Sequence, residues 1–151
     1  MEFKGCSVGG LMYGPAELIE ESNVLLQNLN DRHASATDIK EFLTLLAVCH
    51  TVIPEREPDG LIYHAASPDE RALVYGVSRL GYVFETRTPN YLVVNALGNI
   101  EKYEVLHVLE FTSTRKRMSV IVRCPDGKIK LYCKVTIICI CKSIRWINWF
   151  C

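Results

Sequence analysis

From Tyr82 onward the chain is a series of five short β-prone runs with very little between them, and that spacing leaves few folds open. Residues 82–86, 91–97, 104–111, 118–124 and 129–134 are rich in β-branched, aromatic and other apolar side chains. Turn formers mark three of the junctions: Thr88-Pro89-Asn90, Leu97-Gly98-Asn99 and Pro125-Asp126-Gly127. A parallel crossover needs about a dozen residues or more, so consecutive runs are expected to pair antiparallel. Two helical patterns precede the runs. The first covers 37–50, with Ile39, Phe42, Leu43, Leu46 and Ala47 on one face and Thr37 as the expected N-cap. The fold class expected is α+β, an antiparallel sheet with flanking helices.

The second helical pattern opens on a Ser-Pro-Asp-Glu box. Ser67 is a good N-cap, Pro68 suits the first helical position, and Glu70 is placed to bond back to the cap. Ala72, Leu73, Val77 and Leu80 form the expected buried stripe, and Gly81 closes the helix. Upstream, residues 1–13 read as a hairpin turning at Gly9-Gly10, with Phe3, Cys6 and Val8 inward. Pro15 is expected to open a helix or broken helix carrying Leu18, Ile19, Leu25 and Leu26. Residues 28–36 read as a polar loop, 54–60 (PEREPDG) as a surface loop, and 61–65 as a short strand.

With 151 residues, 49% of them hydrophobic and 23% charged, the chain suits one packed domain and excludes a disordered tail. Lys plus Arg and Asp plus Glu both number 17, so no global field holds nucleic acid or anionic lipid and any anion site must be local. The 7 cysteines are odd in number and lack C-x-x-C spacing, which points to a reducing compartment and mostly buried thiols. A zinc site from Cys133, Cys139, Cys141 and Cys151 would have no nearby histidine and no familiar spacing. The longest apolar run, 135–141, falls far short of the roughly 20 residues that cross a bilayer.

Three features could carry chemistry: Asp69-Glu70 at a helix start, Phe111 ahead of Arg115, Lys116 and Arg117, and Lys134 at the end of the last run. A phenyl ring stacks on a purine face, cationic groups neutralise phosphates, and a carboxylate accepts from an exocyclic amine. Together they would make a purine nucleotide site on a sheet surface. Each also has a purely structural account: a capping box, a core phenylalanine, and a solvated turn. Neither GxxxxGK[ST] nor GxGxxG occurs, so a nucleotide would be held by neither a P-loop nor a dinucleotide fold. His33, His50, His64 and His107 are scattered and read as structural.

The phrases "MEFKGCSVGGLMYG", "YHAASPDERALV" and "LEFTSTRKRMSVIVRCPDGKIKLYCK" together resemble the nucleotide-binding domain of type IV P-type ATPases, the phospholipid flippases. The likeness runs in the family's order and implies a truncated N-domain-like fold, with 1–134 a partial nucleotide-binding domain and 135–151 a divergent tail. It implies ATP as ligand, with Mg²⁺ accompanying the nucleotide in the full-length parent. The parent would be a membrane protein with this domain on its cytoplasmic side, and the chain alone cytoplasmic. By the resemblance Glu70 stands near the adenine, Phe111 stacks on it, Lys116 shares the pocket, and Lys134 matches the lysine of a Lys-Gly-Ala turn. Asp69 is the solvent-facing neighbour of Glu70, and Arg115 belongs to the cluster that would face phosphate.

The family phosphorylates an aspartate in an Asp-Lys-Thr-Gly-Thr motif, which this sequence does not contain. The chain alone is therefore expected to bind nucleotide weakly, without ATPase or flippase activity. Where the family continues Lys-Gly-Ala, this chain has Lys134-Val135, and a stiff β-branched residue there is expected to alter how the lysine is presented. Two other readings stay open. One is a non-catalytic interaction module in which the sheet edge and the aromatic tail, with Trp146, Trp149 and Phe150, dock a protein or membrane. The other is single-stranded RNA binding through Phe111 and Arg115 to Arg117, which the zero net charge opposes.

Overall fold

The computed structural model of the chain describes residues 2–14, 23–135 and 149–150. It opens on a hairpin of β1 (Gly5–Val8) and β2 (Leu11–Tyr13), paired from Cys6 opposite Tyr13 to Val8 opposite Leu11. Gly9 and Gly10 turn it with φ of 59° and 81°, the left-handed pair that matches the twist of a two-residue hairpin. Cys6, Val8 and Tyr13 are buried, and Phe3 packs partly buried against the core.

Helix α1 (Val24–Asn30) starts where the side chain of Asn23 accepts from the Leu26 N–H at 3.1 Å. It extends through Asn28, so the expected polar loop begins only after Asn30; the residues of the expected helix from Pro15 to Ile19 lie outside the described ones. Helix α2 (Ala36–Val48) buries Ile39, Phe42, Leu43, Leu46 and Ala47, the face read from the periodicity. Its cap position is Ser35, not Thr37. The Ser35 hydroxyl is engaged with the His33 ring at 2.8 Å and makes no bond to the helix, so the expected side-chain cap is not used.

Residues 54–60, expected as a loop, are instead most of a hairpin, β3 (Ile53–Glu57) and β4 (Gly60–His64). An exposed ribbon has no apolar face to announce it, which is why its charge and prolines concealed it. Tyr63 anchors the ribbon: it is buried, and its hydroxyl donates to the Phe84 carbonyl at 2.9 Å. Helix α3 (Pro68–Arg79) follows the box as expected, with Ser67 as N-cap and Leu73, Val74 and Val77 buried; Ala72 is only partly so. Gly81, at φ 84°, ends it by donating to the Ser78 carbonyl at 3.0 Å.

The remaining strands, β5 (Tyr82–Arg87), β6 (Tyr91–Ala96), β7 (Asn99–Leu109), β8 (Arg117–Arg123) and β9 (Ile129–Val135), form one five-stranded antiparallel sheet in sequence order. β7 begins before the expected residue 104, because Glu101 and Lys102 hid its first residues from a hydrophobicity reading. One sheet face buries Phe84, Leu92, Val94, Val120, Val122 and Tyr132 beneath α2 and α3. Complete burial of such side chains contributes about 1.5–3 kcal/mol each, so this layer is the main source of stability. At the far end, the backbone of β10 (Trp149–Phe150) pairs with β1. Cys6, Cys49 and Cys124 are buried free thiols, as expected, and Cys133 is partly buried. Cys139, Cys141 and Cys151 lie outside the described residues, and among those described no three His, Cys, Asp or Glu stand together as metal ligands. No described helix is long and apolar enough to cross a membrane.

Candidate functional site

Four segments end at one place: the exit of α2, the first turn of α3, the β7–β8 connection and the last residues of β9. Between them lies a cleft of about 400 Å³, lined among others by Thr51, Asp69, Glu70, Glu110, Phe111 and Lys134. Each arrives for a local reason. Ser67 starts α3 by accepting from the Glu70 N–H at 3.4 Å, which fixes the backbone of Glu70 on the rigid first turn. Lys134 sits opposite Met118 in the β8–β9 register, so the sheet carries it to the cleft floor. Val135 does not break the strand there but continues it, opposite Arg117.

The Glu70 side chain does not return to the cap. Its Oε2 accepts from the Thr51 N–H at 3.2 Å and from the Thr51 hydroxyl at 2.8 Å, and its Oε1 accepts from Lys134 Nζ at 3.3 Å. The side chains of Lys134 and Glu70 are only 10% and 16% exposed, so this pair is shielded more than a surface ion pair. The expected bond from Glu70 back to the cap is thus not made.

Below the pair the polar groups are closed. The buried His50 ring donates from Nε2 to the Ala47 carbonyl at 2.9 Å and accepts at Nδ1 from the Val52 N–H at 3.2 Å, which fixes its tautomer. Burial, with Lys134 and Arg87 nearby, holds His50 well below the usual imidazole range, so it is neutral. Arg87 donates to the His50 carbonyl at 2.8 Å; burial pulls its pKa down, and the charge of Glu70 opposes this. Glu70 therefore serves two cations. Burial pushes the Cys49 thiol up to about 11, which leaves it protonated and unreactive.

At the mouth, Phe111 is 51% exposed and outside the core, with its ring lining the cleft. Asp69 also lines it, exposed to solvent. Arg115 and Lys116 are not among the lining residues. The Arg115 guanidinium donates to the Leu109 and Glu110 carbonyls at 3.1 and 2.8 Å, bracing the loop that carries Phe111. Lys116 takes a left-handed backbone, φ 53°, and its N–H closes the turn on the Thr112 carbonyl at 2.8 Å. Thr51, Glu110, Leu73 and Met118 also line the cleft, and nothing local in the sequence marked them as site residues. Only the fold brings Thr51 against Glu70.

The charged lining residues are Asp69, Glu70, Glu110 and Lys134, so acids outnumber cations and the cleft is no phosphate cradle. Leu73, Phe111, Met118 and Val135 supply apolar walls. A flat ring carrying an amine donor suits this lining: walls for its faces, a fixed carboxylate for its edge.

The model of the family described as P-type ATPase, cytoplasmic domain N, matches residues 38–147. The chain is 47% identical to phospholipid-transporting ATPase DRS2 of Saccharomyces cerevisiae over 152 residues, covering 89% of this chain and 11% of that protein. It is 42% identical to a phospholipid-transporting ATPase of Schizosaccharomyces pombe over 153 residues and to phospholipid-transporting ATPase IC of Xenopus tropicalis over 156, each time across 89% of this chain and 12% of the relative. The chain thus spans about an eighth of the length of these relatives.

Proposed function

The chain belongs to the P-type ATPase cytoplasmic N domain family, among the phospholipid-transporting members, and from that premise we propose that its cleft binds the base of ATP. The observation that carries this is a half-exposed Phe111 ring over a cleft whose floor holds an ion-paired, hydrogen-bonded Glu70. The ring stacks on the purine, Glu70 accepts from its exocyclic amine, and Lys134 holds the carboxylate or turns to the nucleotide. Asp69 borders the open side. Lys116, which does not line the cleft, joins the pocket only by the family resemblance, and Arg115 supports the loop that carries Phe111 through its two carbonyl contacts.

In the whole protein this domain would present ATP on the cytoplasmic side of a membrane transporter that moves phospholipid. Phosphoryl transfer is mostly positioning and charge neutralisation, and the part supplied by these residues is positioning. Mg²⁺ would accompany the nucleotide, on its phosphates.

Stacking and charged hydrogen bonds of this kind contribute about 1–3 kcal/mol each, so affinity in the high micromolar to millimolar range, about −4 to −6 kcal/mol, is expected. The test is ATP titration followed by chemical-shift changes, with Phe111→Ala alongside. We expect shifts around Phe111, Glu70 and Lys134, and an affinity loss of about tenfold or more on removing the ring. No shift at millimolar ATP in a folded sample refutes the nucleotide site.

A further inference from the structure

Resting on the proposed base-binding role of the cleft, we infer that Thr51 is a positioning residue that makes Glu70 selective for a purine bearing an amine rather than a carbonyl at the six position. A carboxylate offers about four acceptor sites. Thr51 takes two of them, both on Oε2, through its N–H and its hydroxyl. Lys134 takes one on Oε1. One acceptor site remains, on Oε1, the oxygen that Lys134 shares.

Two consequences follow for a ligand. Glu70 is the acceptor in all three of these bonds, so it meets a ligand as an acceptor. A six-amino purine offers it a donor; a six-oxo purine offers an oxygen that it repels. Secondly, Thr51 lies at the exit of α2 while Glu70 lies on α3 and Lys134 on β9, so the hydroxyl contact ties the carboxylate to one more element and narrows its rotamer freedom. Without the hydroxyl the carboxylate keeps only Lys134 and the Thr51 N–H, so it is held less firmly where the amine would meet it, and the preference for the amine would fade.

The substitution that isolates this is Thr51→Val. It keeps the β-branched shape and the backbone N–H and removes only the 2.8 Å hydroxyl contact. Thr51→Ser restores a hydroxyl. The probes are ATP and ITP, which differ at the six position and in the proton on the adjacent ring nitrogen, titrated against each protein after its helix content and thermal midpoint have been matched. For the unaltered chain we expect ATP to bind about tenfold more tightly than ITP. In Thr51→Val the ratio should fall to about twofold, through weaker ATP binding with ITP nearly unmoved, and Thr51→Ser should recover most of the preference. A role confined to folding would instead weaken both nucleotides alike. A ratio unchanged in Thr51→Val, or an equal loss for both ligands, overturns the role of Thr51 and leaves the nucleotide site standing. Absence of ATP binding to the unaltered chain removes both.

Discussion

At the scale of single residues, the ends of side chains decide what the site offers, and sequence spacing reports only where their backbones lie. Glu70, Phe111 and Lys134 were legible because each sits in a distinctive phrase, and they do share one cleft. Thr51 was not legible, because its partner is 19 positions away and no periodicity links the two. The same holds for His50, whose neutrality comes from complete burial beside Lys134 and Arg87. That burial predicts a pH dependence. The folded pKa is depressed, while the unfolded chain keeps the ordinary value of about 6.5. The contribution to stability is therefore fully present above that value and is lost as pH falls below it, since the unfolded chain takes a proton that the fold refuses. The slope from this one group approaches about 1.4 kcal/mol per pH unit. Urea unfolding from about pH 7.5 to about pH 5 should show the decline, with the His50 ring resonances of the native protein unmoved through the ordinary imidazole range. A native His50 that titrates near that range would contradict the assignment.

At the scale of elements, local signals worked where hydrophobic period and capping agreed, and failed where an element had no apolar face. Helix α3 and the strands β4, β5, β6, β8 and β9 follow their patterns closely, whereas the exposed strand β3 read as loop and the charged first half of β7 was missed. The cap of α2 was misplaced for a related reason: Ser35 and Thr37 are equally good by type, and the His33 contact that occupies Ser35 is invisible in one dimension. Helix α3 carries one further feature that sequence alone would misjudge. Gly76 lies inside it, where Ala would ordinarily gain up to about 1 kcal/mol. A Cβ at Gly76, however, would stand 2.5 Å from the Cβ of Phe3, near the root of that side chain and unable to swing clear. Gly76→Ala should therefore destabilise the chain by about 1–3 kcal/mol. In a Phe3→Ala background the same change should become neutral or stabilising. Denaturant midpoints of the four proteins in this double-mutant cycle measure the coupling. Additive effects would mean that α3 and the N-terminal segment are not packed as described.

At the scale of the whole molecule, the order of the sheet was the most legible property, because connections too short for crossovers force neighbours in sequence to be neighbours in space. What one dimension could not supply is which faces remain open. On β9, the last strand of the five-stranded sheet, Ile129 and Leu131 are 60% and 62% exposed. They project away from the face that Tyr132 buries, as strand alternation requires. The chain also carries no formal net charge and has an isoelectric point near 6.9, so near neutral pH no long-range repulsion keeps copies apart. Open apolar strand surface together with zero charge is the combination that favours self-association. Solubility should pass through a minimum near the isoelectric point, and light scattering should rise with protein concentration there. Leu131→Lys addresses both causes, by removing apolar surface and adding charge, at a position that neither lines the cleft nor packs in the core. It should reduce scattering markedly, shift stability by no more than about 0.5 kcal/mol, and leave ATP titration curves superimposable on those of the unaltered chain. Equal scattering from both proteins at matched charge would show that association runs through another surface. A changed ATP affinity would show that the exposed face of β9 at Leu131 communicates with the cleft at its far end.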